Sequence, residues 1–508
     1  MFHAVYAGGI QGMYAYSVRV ETDLSRGLPG FEVIGSAGRE VKEARERVQI
    51  ALKNAGYALP VAKIIVNLSP AQIGKEGTGY DLSIAAGLLA CMEVWKPETL
   101  QKTAFLGELA LNGEIRPING VLPIALALKK EGFKRILVPA KNAGECENVP
   151  GIQLIGIAKL SEFILYLQSD EQKRDTLARC RTKGTEKREQ VQIPDFSDVL
   201  GQETARRAAE VAAAGFHHLL LAGPPGAGKT MIAKRIPGIL PPLTSEEQLE
   251  VESIYSIAGK WREGFKGRPF LSPHHTLSPQ ALAGGGRIPR PGLLSLAHRG
   301  VLFLDEMPEF SSLTLEVLRQ PLEEKQVQLA RSMGTYIYPA DFMFVCAMNP
   351  CPCGFFPDRN RCTCTEPDIR RYLGKISGPV LDRIDIVTEV SPVRVQDLYG
   401  GAGGEATEKI RERVMAARER QQYRFKNSSY RFNGEVSGRD MEEYCRLGLE
   451  EQNFLEQVFE EGQMSVRAYH KVRKLARTIA DLEEAEAIGI GHLAEAICYN
   501  KGRDKFWK

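Results

Sequence analysis

The segment GPPGAGKT, residues 223–230, has the glycines, the lysine and the threonine of a phosphate-binding loop. It fits the pattern G-x-x-x-x-G-K-[ST] and lies between an apolar stretch typical of a strand and one typical of a helix. In such a loop, backbone N–H groups surround phosphate oxygens, the lysine reaches the β and γ phosphates, and the threonine hydroxyl binds Mg²⁺. The alternative, an ordinary glycine-rich turn, is the weaker interpretation because suitable partner residues follow. We therefore predict that ATP and Mg²⁺ bind at Gly223, Pro224, Pro225, Gly226, Ala227, Gly228, Lys229 and Thr230.

Three polar side chains at the ends of apolar strands would complete this site. The stretch GVLFLDE ends in Asp305 and Glu306, and FMFVCAMN ends in Asn349. Beside a phosphate loop, Asp305 can hold Mg²⁺ and Glu306 can polarise the attacking water. The amide of Asn349 would orient that water. Alone, an Asp-Glu pair is more often solvated surface, but its combination with the loop favours catalysis.

Two arginines are candidates for stabilising charge in the transition state. Arg383 lies in GPVLDRIDI, and Arg467 lies in SVRAYHK near the C-terminal end. An arginine is usually a solvated surface charge. In an ATPase that binds phosphates between subunits, however, one arginine from a neighbouring subunit and one from a lid would neutralise the transition state.

A cluster of cysteines follows Asn349 within AMNPCPCGFFPDRNRCTC. Its spacing is C-x-C-x8-C-x-C, and the turn residues between the pairs would let all four thiols form one tetrahedron. Paired zinc ligands more often have two residues between them, and reduced thiols on a rigid loop are the alternative. We predict a structural Zn²⁺ that fixes the loop after Asn349, and expect ATP binding to survive its loss because the phosphate loop is distant in sequence. The predicted ligands are Cys351, Cys353, Cys362 and Cys364.

These residues must be positioned by a chain of several domains, since 508 residues exceed one ordinary core. Residues 1–167 read as an α+β domain, with a strand KIIVNLSP, a hairpin around Asn112-Gly113 and apolar helices. The charged, apolar-poor stretch 168–195 reads as a linker. Residues 196–398 alternate apolar strands with helices, which predicts a doubly wound parallel sheet. After the glycine-rich break LYGGAGGEATEK, we predict that residues 399–508 form a helical domain.

Composition limits the function further. With 43% hydrophobic and 25% charged residues, the chain reads as soluble and globular, and no apolar run suggests a membrane span. The start of the chain does not resemble a signal peptide, so we expect a cytoplasmic protein with reduced cysteines. The net charge of +3 is too small to indicate nucleic-acid binding by itself, so any basic surface must be local.

Taken together, these motifs resemble AAA+ ATPases, and specifically the magnesium-chelatase-like family of bacterial YifB and ComM proteins. The resemblance covers nearly the whole chain and implies an ATP-driven ring, usually a hexamer, that acts on DNA as a helicase in branch migration during natural transformation. It also implies that Arg383 is an arginine finger and Arg467 a second sensor. The stretches that carry it are GPPGAGKT, RPFLSPHHTLSPQALAGGGRIPRPGLLSLAHRGVLFLDEMPEF, MNPCPCGFF, GKISGPVLDRIDI and SVRAYHKVRKLARTIADL.

The first domain resembles the proteolytic domain of Lon, an enzyme of another class. At the positions that the resemblance assigns to the catalytic serine and lysine, this chain has Gly79 and Leu122. Ser83 is close by but falls within a helical pattern, and a serine nucleophile needs a positioned base. We therefore predict a non-proteolytic domain used for binding or assembly.

Two insertions are candidates for contact with DNA. LAGGGRIPRPG contains Arg287 and Arg290, and VQLARSMGTYIYPA reads as a hairpin with Arg331 at its turn. The resemblance implies that such insertions face the pore of the ring, where arginines could hold a phosphate backbone without reading sequence. Ordinary surface loops are the alternative. The helix around EKIRERVMAARERQQYRFK is also rich in arginine, but its interleaved acids favour a salt-bridged face.

A different class of function also fits the nucleotide motifs. The chain could remodel a protein partner, or assist metal insertion as the magnesium chelatase subunit does. We weigh the extra N-terminal domain against the chelatase role, since we expect that subunit to lack it.

Overall fold

The computed structural model describes residues 1–147, 149–179, 193–262, 267–331, 334–392, 404–462, 464–502 and 507. It is a mixed α/β structure with two large sheets followed by a helical region. The alternation of elements along the chain confirms the fold class predicted from the sequence.

The first domain is built on a seven-stranded sheet. The sheet contains β1 Phe2–Gln11, β2 Tyr14–Ser25, β3 Gly30–Ile34, β4 Lys63–Ser69, β5 Thr103–Phe105, β8 Arg135–Pro139 and β9 Gln153–Ile157, and a separate pair of strands is β6 Glu108–Leu109 and β7 Ile115–Arg116. The helices of the domain are α1 Arg39–Lys42, α2 Ala44–Asn54, α3 Asp81–Cys91, α4 Val121–Lys130 and α5 Leu160–Gln168. The strand order in the sheet is β3-β4-β2-β1-β5-β8-β9. Strands β1, β2 and β4 pair antiparallel, whereas the β5, β8 and β9 side is parallel. The predicted hairpin at Asn112-Gly113 is present, joining β6 and β7.

The first part of the predicted linker is helical. A further helix, α6 Glu171–Arg179, packs on the first domain, and its Arg174 is buried. The guanidinium of Arg174 donates to the carbonyl oxygens of Tyr166, Leu167 and Thr99 at 2.7–3.0 Å. Helix α6 therefore docks through a buried charged side chain. A search of the sequence for apolar periodicity does not detect this kind of contact. Residues 180–192 lie outside the described residues.

The central domain has a parallel five-stranded sheet. Its strands are β10 Leu219–Ala222, β11 Phe270–Leu271, β14 Val301–Leu304, β17 Met343–Met348 and β18 Ile386–Glu389; its helices are α7 Glu203–Gly215, α8 Lys229–Ala233, α9 Ile236–Ile239, α10 Ser245–Ile257, α11 Pro279–Ala283, α12 Leu293–Leu296, α13 Ser312–Glu316, α14 Arg319–Glu324, α15 Glu366–Leu373 and α16 Gly378–Leu381. The strand order is β11-β14-β17-β10-β18. Alternate residues of the inner strands enter two separate buried clusters, so both faces are covered as predicted.

Both predicted insertions into this domain are short antiparallel hairpins. The first pairs β12 Gly284–Gly285 with β13 Arg290–Pro291. The second pairs β15 Gln326–Arg331 with β16 Gly334–Pro339. The Tyr338 hydroxyl of the second hairpin donates to the carbonyl of Pro289 in the first at 2.6 Å, so the two insertions lie side by side.

The described C-terminal residues are helical, as predicted. The helices are α17 Thr407–Arg424, α18 Met441–Tyr444, α19 Leu449–Gly462, α20 Val466–Leu482 and α21 Ile490–Lys501. The predicted glycine-rich break comprises residues 398–409, of which 398–403 lie outside the described residues. The arginine-rich helix α17 is salt-bridged: its Arg413 contacts Glu405 and Glu210, and its Arg420 contacts Glu484. In the part of the chain described, no helix combines the length and apolar character that crossing a membrane requires.

Candidate nucleotide site and cysteine cluster

The phosphate loop connects the buried strand β10 to the start of α8. The N–H group of Gly223 donates to the carbonyl of Met348 on the neighbouring strand at 3.1 Å, which fixes where the loop begins. A side chain at Gly223 would meet the carbonyl oxygen of Val390 at 2.2 Å, so only glycine fits there. Gly226 and Gly228 have φ angles of +78° and +92°, a region that favours glycine. The loop is therefore shaped by the residue types that the motif requires.

Lys229 is the first residue of α8, and its side chain, which is 8% exposed, reaches back to the start of the loop. Its Nζ donates to the carbonyl oxygens of Gly223 and Pro224 at 2.7 and 2.8 Å, and to Oδ1 of Asn349 at 3.1 Å. Burial lowers the pKa of Lys229, and the negative charges of Asp305 and Glu306 oppose that shift. The geometry places one cation where phosphate groups would enter.

The two acidic residues follow β14 on the adjacent strand end. Thr230 Oγ1 donates to Asp305 Oδ2 at 2.7 Å, which pairs the two predicted Mg²⁺ ligands. The N–H group of Glu306 donates to Asp305 Oδ1 at 3.0 Å, and Glu306 has a φ of +49°. A non-glycine residue in this region is strained, and such strain is concentrated at functional sites. A hydroxyl beside a carboxylate is a donor set that suits Mg²⁺.

All of these predicted residues except Gly223 and Pro224 line one open cavity of about 380 Å³. The structure thus brings the phosphate loop, both acids and Asn349 together. Asn349 also contacts Lys229, so its amide position is tied to the lysine rather than free in the cavity. The cavity is lined by residues 225–231, Asp305, Glu306, Met348 and Asn349.

The two candidate arginines do not line the cavity of their own chain. Arg383 donates to Glu323 Oε2 at 2.5 Å and to the carbonyl of Pro379 at 3.4 Å. Arg467 is 65% exposed and lies 3.4 Å from Asp382, the neighbour of Arg383. Both arginines therefore belong to one region of the surface that includes the end of α16 and the start of α20.

Sequence reasoning missed Gln202, which supports the phosphate loop from the side. Its Nε2 donates to the carbonyl of Ala227 at 3.1 Å and also to the carbonyl of Ser391. Gln202 precedes α7 and has a φ of +57°. The only sequence signal is a Gly-Gln pair before a helix, which is too common to predict this contact.

The four cysteines form a compact cluster. One Sγ from each lies within 4.8 Å of all the others, and the Sγ of Cys351 is 3.3 Å from that of Cys353 and 3.7 Å from that of Cys362. Cys351 is fully buried, whereas Cys353, Cys362 and Cys364 are half-buried. None of the four forms a disulfide bond. Four convergent thiols of this spacing fit a tetrahedral metal ion, with zinc as the metal that best suits an all-sulfur set.

The candidate DNA-binding arginines lie on the two adjacent hairpins. The side chains of Arg287, Arg290 and Arg331 are exposed, and Arg331 Nε lies 3.5 Å from the carbonyl of Gly286. Arg287 also pairs with Glu40 of α1, so the first domain contacts this insertion. The structure therefore brings the three arginines to neighbouring positions. The charge of one of them, Arg287, is partly neutralised by Glu40.

The Lon-like positions in the first domain cannot supply a serine–lysine pair. Leu122 is fully buried in the core, and Gly79 has no side chain. Ser83 is also buried, and its Oγ donates to the carbonyl of Tyr80 at 2.7 Å, one turn earlier in the chain. This local bond is the one expected for a serine inside a helix.

Models of known protein families match the first, central and C-terminal parts of the chain separately. Residues 195–398 match the model "Magnesium chelatase, subunit ChlI", residues 404–500 match its C-terminal model, and residues 20–142 match "Subunit ChlI of Mg-chelatase". The parallel sheet and nucleotide site thus define an AAA+ ATPase of the magnesium-chelatase type.

Full-length relatives narrow the assignment. The chain is 40% identical to YifB of Escherichia coli over 503 residues and to competence protein ComM of Haemophilus influenzae over 507 residues; each match covers 97% of this chain and 96% of the relative. The chain belongs to the YifB/ComM family of magnesium-chelatase-like AAA+ proteins.

The first domain has a second similarity. Lon protease 2 of Bacillus subtilis is 28% identical over 145 residues, which is 27% of this chain and 26% of that protein. The model that matches residues 20–142 also carries the name of a chelatase subunit. Our expectation that the first domain argues against a chelatase role therefore loses its support.

Proposed function

We propose that the protein is a cytoplasmic, ATP-hydrolysing ring motor, a hexamer that moves on DNA without reading sequence and promotes branch migration as a helicase. The placement of three arginines on two adjacent insertions of the ATPase core carries the DNA part of this proposal. Similarity to a relative named a competence protein supports DNA uptake or recombination as the setting. Remodelling of a protein partner is the outcome if DNA is not bound.

The roles of the site residues follow from their positions. Backbone N–H groups of the phosphate loop and Lys229 would hold the phosphates, and Thr230 and Asp305 would bind Mg²⁺, which neutralises charge on the phosphate oxygens. Glu306 would accept a proton from the attacking water, with Asn349 orienting it. Neither Arg383 nor Arg467 lies at the cavity of its own chain, so both would act on a neighbouring subunit's nucleotide.

DNA binding can be tested by replacing Arg287, Arg290 and Arg331 together with alanine. Each phosphate contact with a single strand contributes about 0.7 to the slope of log affinity against log salt. We therefore expect the triple variant to bind more weakly and to lower the slope by about 2, measured by fluorescence anisotropy with labelled DNA. A matched control is Arg370→Ala, which removes a side chain that is 83% exposed and lies outside the insertions. Equal binding by the triple variant would contradict the proposed surface.

We further propose that the cysteine cluster binds one structural Zn²⁺. Coordination requires four thiolates, so metal binding should release protons and fail on acidification. Elemental analysis of the purified protein should find about one zinc per chain. Replacing Cys351 and Cys353 with serine should release it, whereas Cys498→Ser, an exposed cysteine outside the cluster, should not. Absence of zinc from the wild-type protein would leave the four residues as ordinary thiols, and iron in its place would indicate a cluster with a redox role.

A further inference from the structure

The cysteine cluster touches the nucleotide site through one glycine. Gly354 directly follows Cys353 and has a φ of +85°. A Cβ at this position would lie 2.4 Å from Cδ and 3.2 Å from Cγ of Pro225. Pro225 is part of the phosphate loop and lines the cavity. Because a proline ring cannot rotate away, this contact leaves room for glycine alone.

The conformation of Gly354 depends on the cysteines. Its N–H group donates to the carbonyl of Cys351 at 3.0 Å, and the N–H group of Phe356 donates to the Sγ of Cys351 at 3.4 Å. These bonds make a tight turn around the first pair of thiols. A metal ion held by the four thiols would fix the same turn, since coordination removes the freedom of each cysteine side chain.

The cluster is also anchored beneath the phosphate loop. Cys351 is fully buried in the same apolar cluster as Leu220 and Ala222 of β10, the strand that leads into the loop. The strand that precedes the cysteines is hydrogen-bonded to Gly223, the first residue of the loop. The cysteine turn therefore cannot move away from Pro225 without disturbing this packing.

We infer that the four-cysteine metal site holds the phosphate loop in its nucleotide-binding conformation through Gly354 and Pro225, so that ATP affinity depends on the bound metal. This inference rests on the proposed zinc site. It replaces the expectation that ATP binding survives loss of the cysteines, which depended on their distance from the loop along the chain. In space the two segments are in contact.

The direct test measures binding of a fluorescent ATP analogue with Mg²⁺ to the full-length protein. Gly354→Ala should weaken binding about tenfold, a free-energy change within the range of one steric clash, while zinc content stays unchanged. Extracting zinc from the wild-type protein with a zinc-selective chelator, then restoring Mg²⁺, should weaken binding similarly, and added zinc should restore it.

Two further variants separate the contact from backbone strain. Gly132→Ala places alanine at a φ of +82° with no atom within 4 Å, and it should leave nucleotide affinity unchanged. Pro225→Ala removes the ring atoms that the new methyl group of Gly354→Ala would meet, so the double variant should bind more tightly than Gly354→Ala alone. If Gly354→Ala does not fold, the extraction experiment carries the test.

The outcomes distinguish this inference from the proposals on which it depends. Wild-type protein that contains no metal would remove the zinc site, and wild-type protein that does not bind nucleotide would remove the ATPase. If the wild-type protein binds both zinc and nucleotide, but neither the substitution Gly354→Ala nor zinc extraction changes its nucleotide affinity, the inference is overturned while both proposals stand.

Discussion

The first domain and the central domain each bury a lysine, and the two lysines have different surroundings. Lys75 is fully buried, its Nζ donates to the carbonyl of Pro70, and burial lowers its pKa. Lys229 is also buried with a lowered pKa, but it faces a cavity and the charges of Asp305 and Glu306. A buried cation therefore indicates a binding site only where a cavity and partner groups accompany it.

The same contrast holds for the ends of the strands. In the central domain, β14 and β17 are followed by Asp305, Glu306 and Asn349, which converge on the phosphate loop. In the Lon-like domain, the positions of the protease pair hold Gly79 and Leu122. Both domains have mixed helix and strand architecture, but the protease positions of the first domain hold no polar side chain, whereas the strand ends of the central domain hold three.

The largest effect that would sharpen this comparison comes from an arginine outside the cavity. Arg383→Ala should lower ATP turnover by about 10³ or more, because an arginine finger acts on the transition state. Nucleotide affinity should stay nearly unchanged. Mixing this variant with Lys229→Ala subunits tests the assignment, since a chain that lacks Arg383 should regain hydrolysis when its neighbour supplies one. Lack of rescue would assign Arg383 to its own subunit.

A smaller loss is expected from the acid beside the cavity. Glu306→Gln keeps the shape and removes the proton acceptor, so turnover should fall by about 10²–10⁴ while ATP still binds. Steady-state hydrolysis and nucleotide binding measured on the same preparation check this result. Glu309→Gln, at a half-exposed glutamate of the same segment, is the control and should stay near wild type. Normal turnover in Glu306→Gln would remove it from catalysis.

The paired lysines give the next prediction. Lys229→Ala should weaken binding of ATP by about 10- to 100-fold, the range for loss of a hydrogen bond to a charged group. Lys75→Met should leave nucleotide affinity and turnover unchanged, since Lys75 lies in the other domain. A titration with labelled nucleotide measures both variants. Loss of ATP binding in Lys75→Met would show that the two domains share one site.

The smallest predicted effect concerns the stability of the two domains, which should change in opposite directions as the pH falls. Burial raises the pKa of Asp81 in the first domain from 3.8 to about 6, and burial lowers the pKa of His218 in the central domain from 6.5 to about 4. Between pH 6 and 3.8 folded Asp81 binds a proton that the unfolded chain lacks, so acid stabilises the first domain. Between pH 6.5 and 4 the unfolded chain protonates His218 first, so acid destabilises the central domain.

Each group changes the free energy of unfolding by about 1.4 kcal/mol per pH unit within its window. Pulse proteolysis in urea at about pH 7 and about pH 5, with fragments assigned by mass spectrometry, measures the two domains separately. Asp81→Asn should remove the gain in the first domain. A parallel loss of stability in both domains would contradict these assignments.

The sequence predicted the parts of the site in which each residue follows its own strand. Lys229 was predicted from the phosphate-loop motif, and Asp305 and Asn349 were predicted because each follows an apolar strand, whose end a parallel sheet brings to the same edge. The contacts of Gln202 and Gly354 were not predicted, since each joins segments that are distant in sequence. The side-chain amide of Gln202 donates to a carbonyl group that any residue has, and Gly354 lies against the ring of Pro225. The docking of α6 was missed because it uses the buried guanidinium of Arg174 rather than an apolar stripe.

The central claim, an ATP-driven motor on DNA, is tested most directly by strand displacement on forked and four-way DNA at low salt. The account predicts that the wild-type protein separates the strands with ATP and Mg²⁺, and that Glu306→Gln binds the same DNA without separating it. Wild-type protein that hydrolyses ATP but neither binds nor moves either substrate would contradict the DNA assignment.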